Sequence, residues 1–397
     1  MDKNLYIRNS FVFLIILTLI TGPAIPDIIL TLSAIIGVFL FIIKKLDLND
    51  TNLKFILGCY LIIFLTSLFS IDIKLSFLES LVDFRYFFYL LLFLYFVEEK
   101  IINVFMYFLL FIVCFLFFDL LVQYNYGKDL FGIEANMQVN RQRLNGPFDD
   151  EYIIGTYIMK LSLPIIGYFL YLNKNLIFSL ILIISFVSIV LSGERMALIL
   201  FIFGVFLILL FTKKYKFLFI TMILFFISLL FFFLFFPEKN FKYMEFFYAL
   251  SNFKDTGHGA HYLAAINIFL ENPITGSGFK TFREICSDPN ILNKISTTVD
   301  PCATHPHNLY LETLSETGII GMTGLSLFIF FIGKRIIDLK LYNSKYVGFV
   351  VLSICIFWPI SSMSNFYNNW NASINFTLIG FLFIQKTDKP WKIFLKK

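Results

Sequence analysis

The stretch FLFITMILFFISLLFFFLFF, residues 217–236, is twenty residues long and contains no charged side chain. A run of roughly 18 or more such residues predicts a transmembrane helix, because it matches the hydrocarbon thickness of a bilayer. The whole chain of 397 residues is 58% hydrophobic and 15% charged, with 54 phenylalanines and a mean hydropathy of +0.81. Soluble domains are about 45–50% apolar and about 25% charged. The composition therefore excludes a soluble, fibrous or disordered protein and predicts an all-α polytopic integral membrane protein.

Twelve segments are apolar over the roughly 17–25 residues that a spanning helix needs. The first runs through Gly22 and Pro23 into the second with no cleavage site between them, so we interpret it as a span and not as a signal peptide. The fourth and the twelfth are the shortest. The simplest prediction is a single membrane domain over residues 1–397. The segments begin near Leu5, Ile25, Leu53, Tyr86, Ile101, Tyr152, Leu176, Met196, Phe217, Gly318, Tyr346 and Ala372.

The distribution of lysine and arginine predicts the orientation of these spans. With the amino terminus inside, the inner segments carry 19 basic residues and the outer segments carry 12, while Lys160 falls within a span. Basic residues favour the cytoplasmic side of short loops. Both termini are therefore expected in the cytoplasm. Two long segments, 124–151 and 237–317, are expected on the periplasmic side, the second between spans nine and ten. The net charge of +5 is scattered between apolar spans and does not indicate nucleic-acid binding.

Only seven of the 32 basic residues are arginines, and five of these fall on the predicted outer side. A guanidinium binds phosphate oxygens through two parallel hydrogen bonds and stays charged at any working pH. The alternative is a set of unrelated arginines near helix ends. Arg195 lies in LSGERMAL (191–198), a short turn between two spans, where it could bind substrate, pair with Glu194 or contact lipid headgroups. The five are Arg85, Arg141, Arg143, Arg195 and Arg283.

All four histidines lie in the long outer segment: His258, His261, His305 and His307. The patterns His-x-x-His and His-x-His could hold zinc or copper, yet no cysteine or carboxylate completes a known ligand spacing. We favour the second interpretation, an acid–base histidine at a metal-free site. The stretch GHGAHYLAAINIFLENP (257–273) predicts a helix on the bilayer surface, since its apolar residues recur at helical spacing and Asn-Pro ends it.

Lys160 lies about nine residues into the sixth span, roughly 13 Å deep. Helical side chains lean toward the amino terminus of the helix, so Lys160 could reach Asp119 near the end of the preceding span. A buried structural pair and a contact with substrate are both open.

Cys286 and Cys302 lie sixteen positions apart in the long outer segment. Outside the cytoplasm a disulfide between them can persist, and closing this loop contributes about 3 kcal/mol. The alternative is two free thiols. The other three cysteines, Cys59, Cys114 and Cys355, lie in apolar runs and are expected to act as small core residues.

Four segments of this sequence resemble the O-antigen ligase and polymerase superfamily. They are RLNGPFDDE (143–151), LSGERMAL (191–198), NPITGSGFKTFR (272–283) and HPHNLYLETLSETGIIG (305–321). The most specific part is His-Asn-x-Tyr-Leu followed by Glu-x-Gly-x-x-Gly, whereas the first 120 residues match only in hydrophobicity. Together with the twelve spans, the resemblance covers most of the chain.

The resemblance implies a metal-independent membrane glycosyltransferase of GT-C-like architecture in the inner membrane of a bacterium, with no cofactor. Such enzymes transfer a glycan from undecaprenyl pyrophosphate on the periplasmic face. In the family pattern His307 is the essential histidine and Arg195 the essential arginine. Many members have a second arginine about four positions before an aromatic residue at the position of Tyr262, and this chain has His258 there instead. Arg283, Arg141 or Arg143 could replace that arginine, or His258 could serve.

The preferred function is that of an O-antigen ligase, which joins the glycan to the lipid A–core. The alternative is a polymerase, which joins it to another carrier-linked repeat, since nothing in the sequence identifies the acceptor. A lipid-linked glycan transporter is a further alternative, but the polar residues are concentrated in one outer segment and not near the midplane of two similar halves. A structural scaffold would not explain arginines and histidines gathered on one face.

Overall fold

A computed structural model describes residues 3–43, 50–95, 97–135, 143–149, 151–235, 251–295, 297–361 and 365–384. Within these ranges the regular structure is helical, and the single isolated β-bridge joins Lys128 and Glu134. The α-helices are α1 (Lys3–Thr18), α2 (Ala24–Ile43), α3 (Thr51–Thr66), α4 (Ile73–Val82), α5 (Phe84–Tyr95), α6 (Ile102–Tyr126), α7 (Ile154–Tyr171), α8 (Asn175–Ser192), α9 (Arg195–Phe211), α10 (Tyr215–Phe235), α11 (Gly257–Glu271), α12 (Phe282–Ile285), α13 (Pro289–Leu292), α14 (Leu309–Asp338), α15 (Val347–Ile356) and α16 (Asn369–Gly380).

Several of these helices have the length and composition of membrane spans, so the prediction of an all-α membrane protein is confirmed. Five helical segments in the described ranges are long and apolar enough to cross a bilayer: Thr51–Phe69, Glu99–Tyr126, Ile154–Tyr171, Asn175–Ser192 and Leu309–Asp338. A helix also occurs at each of the other seven predicted places. The helices α5 and α16 have 12 residues each, about 18 Å, which is shorter than the hydrocarbon core. The count of twelve spans stays a prediction.

The centre of the bundle is α7, which is buried over nearly its whole length. It packs against α6, α8, α9 and α15. A second group forms around α5, which contacts α2, α3 and α16, and α16 in turn contacts α15. Both groups share one continuous apolar core rich in phenylalanine, in which the ring of Phe381 stacks on Phe105 at 4.5 Å and on Phe349 at 4.6 Å. The two groups therefore share one apolar core.

The helix α14 starts at Leu309, nine residues before the place where the tenth span was expected near Gly318. Gly318 interrupts it with a φ of 62° and a ψ of −160°. Thus α14 consists of a short first half, which packs against α11, and a longer second half, which packs against α3. The large segment 237–317 is accordingly helical in much of its described part, with α11, α12, α13 and the first half of α14.

The helix α11 lies within the predicted stretch, and one of its faces is buried in the protein. Its buried residues are Ala260, Ala264, Ala265 and Ile268, which pack toward α14 and α12. The apolar side chains of Ile266 and Leu270 on the same helix are exposed. The side of α11 that faces the protein therefore consists largely of alanines.

The helices α7 and α15 cross closely through two glycines. A Cβ added at Gly348 would lie 2.4 Å from the carbonyl oxygen of Leu163, and one added at Gly167 would lie 2.4 Å from the nitrogen of Gly348. Because both obstacles are backbone atoms, no side-chain rotation relieves them. Small residues at such crossings let helices in membranes pack closely.

This crossing predicts that Gly348→Ala lowers the free energy of unfolding by about 1–3 kcal/mol, the usual cost of overpacking. The matched control is Gly58→Ala in α3, where an added Cβ meets no atom within 4 Å and alanine favours the helix by up to about 1 kcal/mol. Thermal unfolding of the detergent-purified variants measures both. Equal melting temperatures for the two variants would contradict the glycine crossing.

Candidate functional site

The segment Pro273–Gly278 is bound to the broken part of α14 by backbone hydrogen bonds. Ser277 N–H donates to the carbonyl of Ser315 at 2.9 Å, and Gly278 N–H donates to that of Glu316 at 2.8 Å. In the other direction, Ile319 N–H donates to the carbonyl of Pro273 at 2.9 Å. These bonds satisfy backbone groups that the interruption of α14 leaves free.

Glycine is required on both sides of this contact. A Cβ on Gly276, which has a φ of 72°, would lie 2.3 Å from the carbonyl carbon of Glu316. A Cβ on Gly318 would lie 2.3 Å from the carbonyl oxygen of Ile274. The glycines of the NPITGSGF and ETGIIG segments are thus explained by close backbone approach at positive φ.

The carboxylate of Glu316 fixes the start of α12, the helix that carries Arg283. Glu316 is buried, and its two oxygens accept the backbone N–H groups of Lys280 at 2.8 Å and Phe282 at 3.2 Å. The ammonium of Lys280 pairs in turn with Asp83 at 3.2 Å and Glu79 at 3.0 Å. Consequently the segment leading to Arg283 is attached to both α14 and the α4–α5 region.

The structure contains a disulfide between Cys286 and Cys302, whose Cα atoms are 5.3 Å apart. Cys286 directly follows α12 and lies in a small apolar cluster with Ala265 and Phe282. Cys302 precedes the two histidines of the HPHN segment by three and five positions. The disulfide therefore joins the end of the Arg283 helix to the chain that leads into His305 and His307.

The four histidines meet in one cluster, with His307 at its centre. Its ring centroid lies 5.0 Å from that of His258, 5.6 Å from that of His261 and 4.1 Å from that of His305. His258 and His261 lie one turn apart on α11, so they share a face of that helix. All four histidines are candidate site residues in the sequence, but the sequence does not predict that the pair on α11 contacts the pair in the HPHN segment.

The backbone holds His307 in the left-handed region, with a φ of 56°. The next residue, Asn308, caps α14, because its side-chain oxygen accepts the N–H groups of Tyr310 at 3.0 Å and Leu311 at 3.1 Å. Its amide N–H donates to the carbonyl of Pro359 at 2.8 Å, and Tyr310 donates its hydroxyl to Phe357. The His-Asn-x-Tyr pattern therefore combines a strained histidine, a helix cap and an anchor to the chain after α15.

Burial and mutual repulsion favour the neutral form of His258, His305 and His307. Burial, followed by the neighbouring histidines, lowers the pKa of His307 to about 3. Burial lowers the pKa of His305 to about 4, with His261, Arg283 and His258 adding to the effect. The pKa of His258 is lowered by burial, by His261 and by Arg195. A neutral imidazole has one nitrogen that can accept a proton or a hydrogen bond.

Two arginines lie close enough to act on this cluster electrostatically. Arg195, the first residue of α9, affects His258, and Arg283 on α12 affects His305. Arg143 stacks on the ring of Tyr152 at 5.4 Å, and its charge acts on Glu194, the residue before Arg195. Fixed positive charge thus acts on the histidines from two segments of the chain, and Arg143 lies near the Arg195 turn through Glu194.

The other two predicted arginines contribute differently. Arg85 lies in a separate buried network, with its Nε 3.1 Å from Asp27 and its guanidinium bonded to Asn369 and Tyr86. Arg141 lies outside the described residues. Only part of the outer arginine set therefore gathers at the histidines.

Glu194 attaches the Arg195 turn to the amino terminus of α7. Its carboxylate accepts the N–H groups of Gly155 at 2.5 Å and Thr156 at 3.1 Å, and the Thr156 hydroxyl at 2.7 Å. Burial raises the pKa of Glu194 to about 6, while these hydrogen bonds and Arg143 oppose the shift. Sequence reasoning treated Glu194 only as a possible partner of Arg195. The structure shows that it caps another helix, where a carboxylate is stabilised by free N–H groups.

Lys160 is fully buried and donates to the side-chain oxygen of Asn371 at 2.9 Å. The expected pairing with Asp119 is wrong, since Asp119 instead accepts the N–H of Leu130 at 2.9 Å. The partner of Lys160 comes from α16, 211 positions away in the chain, because α16 packs into the same bundle. Local helix geometry could not reveal that contact.

The patterns His-x-x-His and His-x-His also raised the alternative of a metal site in this segment. In the described part of the chain, no group of three or more His, Cys, Asp or Glu side chains has an arrangement that could hold a metal ion. The four imidazoles are close, but their rings are tilted or perpendicular to one another.

Residues 180–326 match a protein-family model described as O-antigen ligase. The matched part includes Arg195, His258, Arg283, His305 and His307, whereas Lys160 and Arg143 precede it. No match to a curated protein was found. The resemblance to the O-antigen ligase and polymerase superfamily is thereby confirmed.

The histidine cluster predicts that His307 stays neutral between about pH 8 and pH 5, since its pKa is lowered from the free value near 6.5. Nuclear magnetic resonance of histidine-labelled protein can follow the imidazole, with His307→Gln identifying its signal. A midpoint near pH 6.5 would contradict the cluster.

The lowered pKa of His307 also affects stability, because the unfolded imidazole takes up a proton near pH 6.5 while the folded one does not. The free energy of unfolding should therefore decrease as the pH falls below about 6.5, and less steeply in His307→Gln.

Proposed function

We propose that this protein transfers a glycan from an undecaprenyl pyrophosphate carrier to an acceptor sugar at the periplasmic face of the bacterial inner membrane. The observation that carries the proposal is the position of His307, a neutral imidazole at the centre of a cluster on which the charges of Arg195 and Arg283 act. The match of residues 180–326 to the O-antigen ligase family supports the same reaction class. The donor glycan, the acceptor and the membrane lipids would be the partners of the protein, with no nucleic acid and no cofactor.

The chemistry needs two kinds of protein group. The acceptor hydroxyl oxygen attacks the anomeric carbon of the donor sugar, and the bond from that carbon to the pyrophosphate oxygen breaks. The electron pair leaves with the pyrophosphate, and the hydroxyl proton passes to His307. Positive charge near the leaving group stabilises the charge that develops there, which is the role of Arg195 and Arg283. Neither step requires a metal ion.

Donor binding would itself prepare His307 as a base. Without substrate, burial and the neighbouring imidazoles hold its pKa at about 3, which is too low for efficient proton acceptance near neutral pH. A pyrophosphate beside the cluster adds negative charge, and a nearby opposite charge favours the protonated imidazole. The base would therefore become competent only when the leaving group is in place.

The place of the family's second arginine would be filled from another segment. His258 stands at that position, and Arg195 together with burial favours its neutral form. Arg283 is better suited because it carries a permanent charge and is held near His305 by the Glu316 contacts and the disulfide. Arg143 would act from the opposite side, next to Glu194.

Ligase activity toward the lipid A–core is our preferred assignment, and polymerase activity toward a carrier-linked repeat is the alternative. Both reactions use the same donor chemistry, and they differ only in the acceptor. A lipid-linked glycan transporter would need no proton acceptor at the glycan, so chemistry at His307 separates it from both.

The orientation with both termini in the cytoplasm is supported by the grouping of connections at the two ends of the bundle. Lys214, before α10, donates to Asn173 in the α7–α8 turn at 2.8 Å, and Lys345 pairs with Glu99 at 2.9 Å. All four residues belong to connections predicted inside. The Arg195 turn and the HPHN segment, both predicted outside, meet at the histidine cluster.

This orientation predicts the behaviour of a reporter that is active only in the periplasm. Fused after Asn290, between α12 and α14, it should be active, and fused after Lys340, beyond the end of α14, it should be silent. Equal membrane abundance of the two fusions, checked by immunoblot, is the control. The reverse pattern would exclude both the orientation and the proposed site of action.

The mechanism predicts that His307→Ala lowers transfer of a carrier-linked glycan by about 10²–10⁴-fold, the usual contribution of a positioned acid–base group. Arg195→Lys should also be impaired, because it keeps the charge but loses the planar fork that binds phosphate. The matched control is His305→Ala, which removes a neighbouring imidazole but not the proposed base and should cost less.

Purified protein in detergent, with excess chelator, is the assay for these variants. Comparison of lipid A–core and carrier-linked repeat as acceptors separates ligase from polymerase. Near-full activity of His307→Ala, or loss of activity on adding chelator, would contradict the metal-free histidine mechanism.

A further inference from the structure

A small cavity lies beside the start of α14, within the bundle. Its polar lining comes from Lys160 on α7, Ser361 after α15, and Asn371 and Asn375 on α16. Leu309, two residues after His307, also lines it. The cavity therefore adjoins the start of α14, and its polar lining residues lie outside the family match.

The polar groups of this cavity have unused hydrogen-bonding capacity. Ser361 is 6% exposed and Asn375 is 3% exposed, and in the described chain neither the Ser361 hydroxyl nor the Asn375 side-chain oxygen has a partner. Buried polar groups without partners cost folding free energy and are rare in native proteins. Two such groups in one cavity indicate a place that a polar ligand completes.

Lys160 adds a buried charge to the same cavity. It is 1% exposed, and its one hydrogen bond goes to the neutral amide of Asn371 at 2.9 Å. No carboxylate of the described residues is in ion-pair contact with its ammonium, and the charge of Glu194 acts on it only from a greater distance. An ammonium has three N–H donors, so two remain for a ligand. A buried cation in this state is stabilised best by an anion.

We propose that this cavity binds a phosphoryl oxyanion, an inference that rests on the proposed function and identifies a second phosphate subsite for it. Lys160 supplies charge and two donors, and the Ser361 hydroxyl supplies a third. The Asn375 amide can turn to present its NH₂ group, because the two ends of an amide are alike in shape. The remaining wall is apolar, with Trp358 among its residues, which suits the lipid-linked side of a carrier phosphate.

A purely structural role for Lys160 explains fewer of the polar side chains in the cavity. A lysine–asparagine contact would account for Asn371 but would leave Ser361 and Asn375 without a reason to be polar. A cationic ligand is disfavoured by the ammonium itself. An anion accepts hydrogen bonds from Lys160 and Ser361, and also from Asn375 once its amide is turned.

The test is direct binding of a short-chain isoprenyl phosphate to the purified full-length protein, with inorganic phosphate and the corresponding isoprenol as further probes. Lys160→Met keeps the volume but removes the charge and its donors, so isoprenyl phosphate should bind at least about tenfold more weakly. Ser361→Ala should weaken binding less. Lys174→Met, at the other end of α7 and exposed, should bind as the unaltered protein does.

Thermal unfolding without ligand distinguishes lost binding from lost folding. Replacing a buried charge by an apolar side chain of similar size is often neutral or stabilising, so Lys160→Met should melt no lower than the unaltered protein. A folded Lys160→Met that binds isoprenyl phosphate unchanged would overturn the proposal, as would isoprenol binding as tightly as the phosphate. Inorganic phosphate binding as tightly as the isoprenyl compound would support an oxyanion site that recognises free phosphate.

The same variants separate this inference from the proposed function. Transfer that depends on His307 but not on Lys160, with unchanged phosphate binding in Lys160→Met, would reject the subsite and keep the transferase. Phosphate binding that depends on Lys160, without glycan transfer to either acceptor, would keep the subsite and reject the transferase.

Discussion

The site depends on one interrupted helix, α14. Gly318 breaks its hydrogen-bonding, and near a bilayer the freed backbone groups must find partners within the protein. The segment Pro273–Gly278 supplies them, which fixes its position against Ser315 and Glu316. Because this segment continues into α12 and the first half of α14 begins after His307, the same break sets Arg283 and His307 relative to each other. A continuous helix would leave the Arg283 segment without this anchor.

A second constraint is electrostatic. Four imidazoles and two arginines lie together, and no carboxylate is among the causes that shift the pKa of His258, His305 or His307. The site therefore stays neutral at its centre and positive at its edge, an arrangement that favours binding of an anion. The nearby carboxylates are engaged elsewhere, Glu194 by the amino terminus of α7 and Glu316 by the backbone of α12.

Sequence patterns predicted those features that depend on local composition. Hydropathy gave the positions of the helices, and the residue types identified Arg195, the four histidines and the two cysteines that form the disulfide. Contacts between distant segments could not be predicted in the same way. The meeting of the two histidine pairs and the bond from Lys160 to Asn371 depend on how α7, α11, α14 and α16 pack. Helical periodicity describes a face of one helix but not the partner of that face.

The roles of Glu316 and Glu194 were not predicted, although the position of each residue in the sequence indicates a contact with a helix end. Glu316 stands two residues before Gly318, and a carboxylate beside a helix break is well placed to accept free N–H groups. Glu194 precedes the first residue of α9, where acidic side chains commonly interact with helix termini. Both could have been proposed as positioning residues, but their actual partners lie 34 to 39 positions away.

The burial of α7 bears on how the protein is assembled during synthesis. Its mean hydropathy of 1.2 is the lowest of the five long spans, against 2.8 for the segment that contains α6, and 89% of its apolar window is buried. A helix with Lys160 and Pro164 is a poor match for lipid on its own. Of the four helices that pack against it, α6 is translated before α7, whereas α8, α9 and α15 are translated later. During synthesis, α7 would have to stay beside the translocation machinery, or be only partly inserted into the bilayer, until the later helices are made.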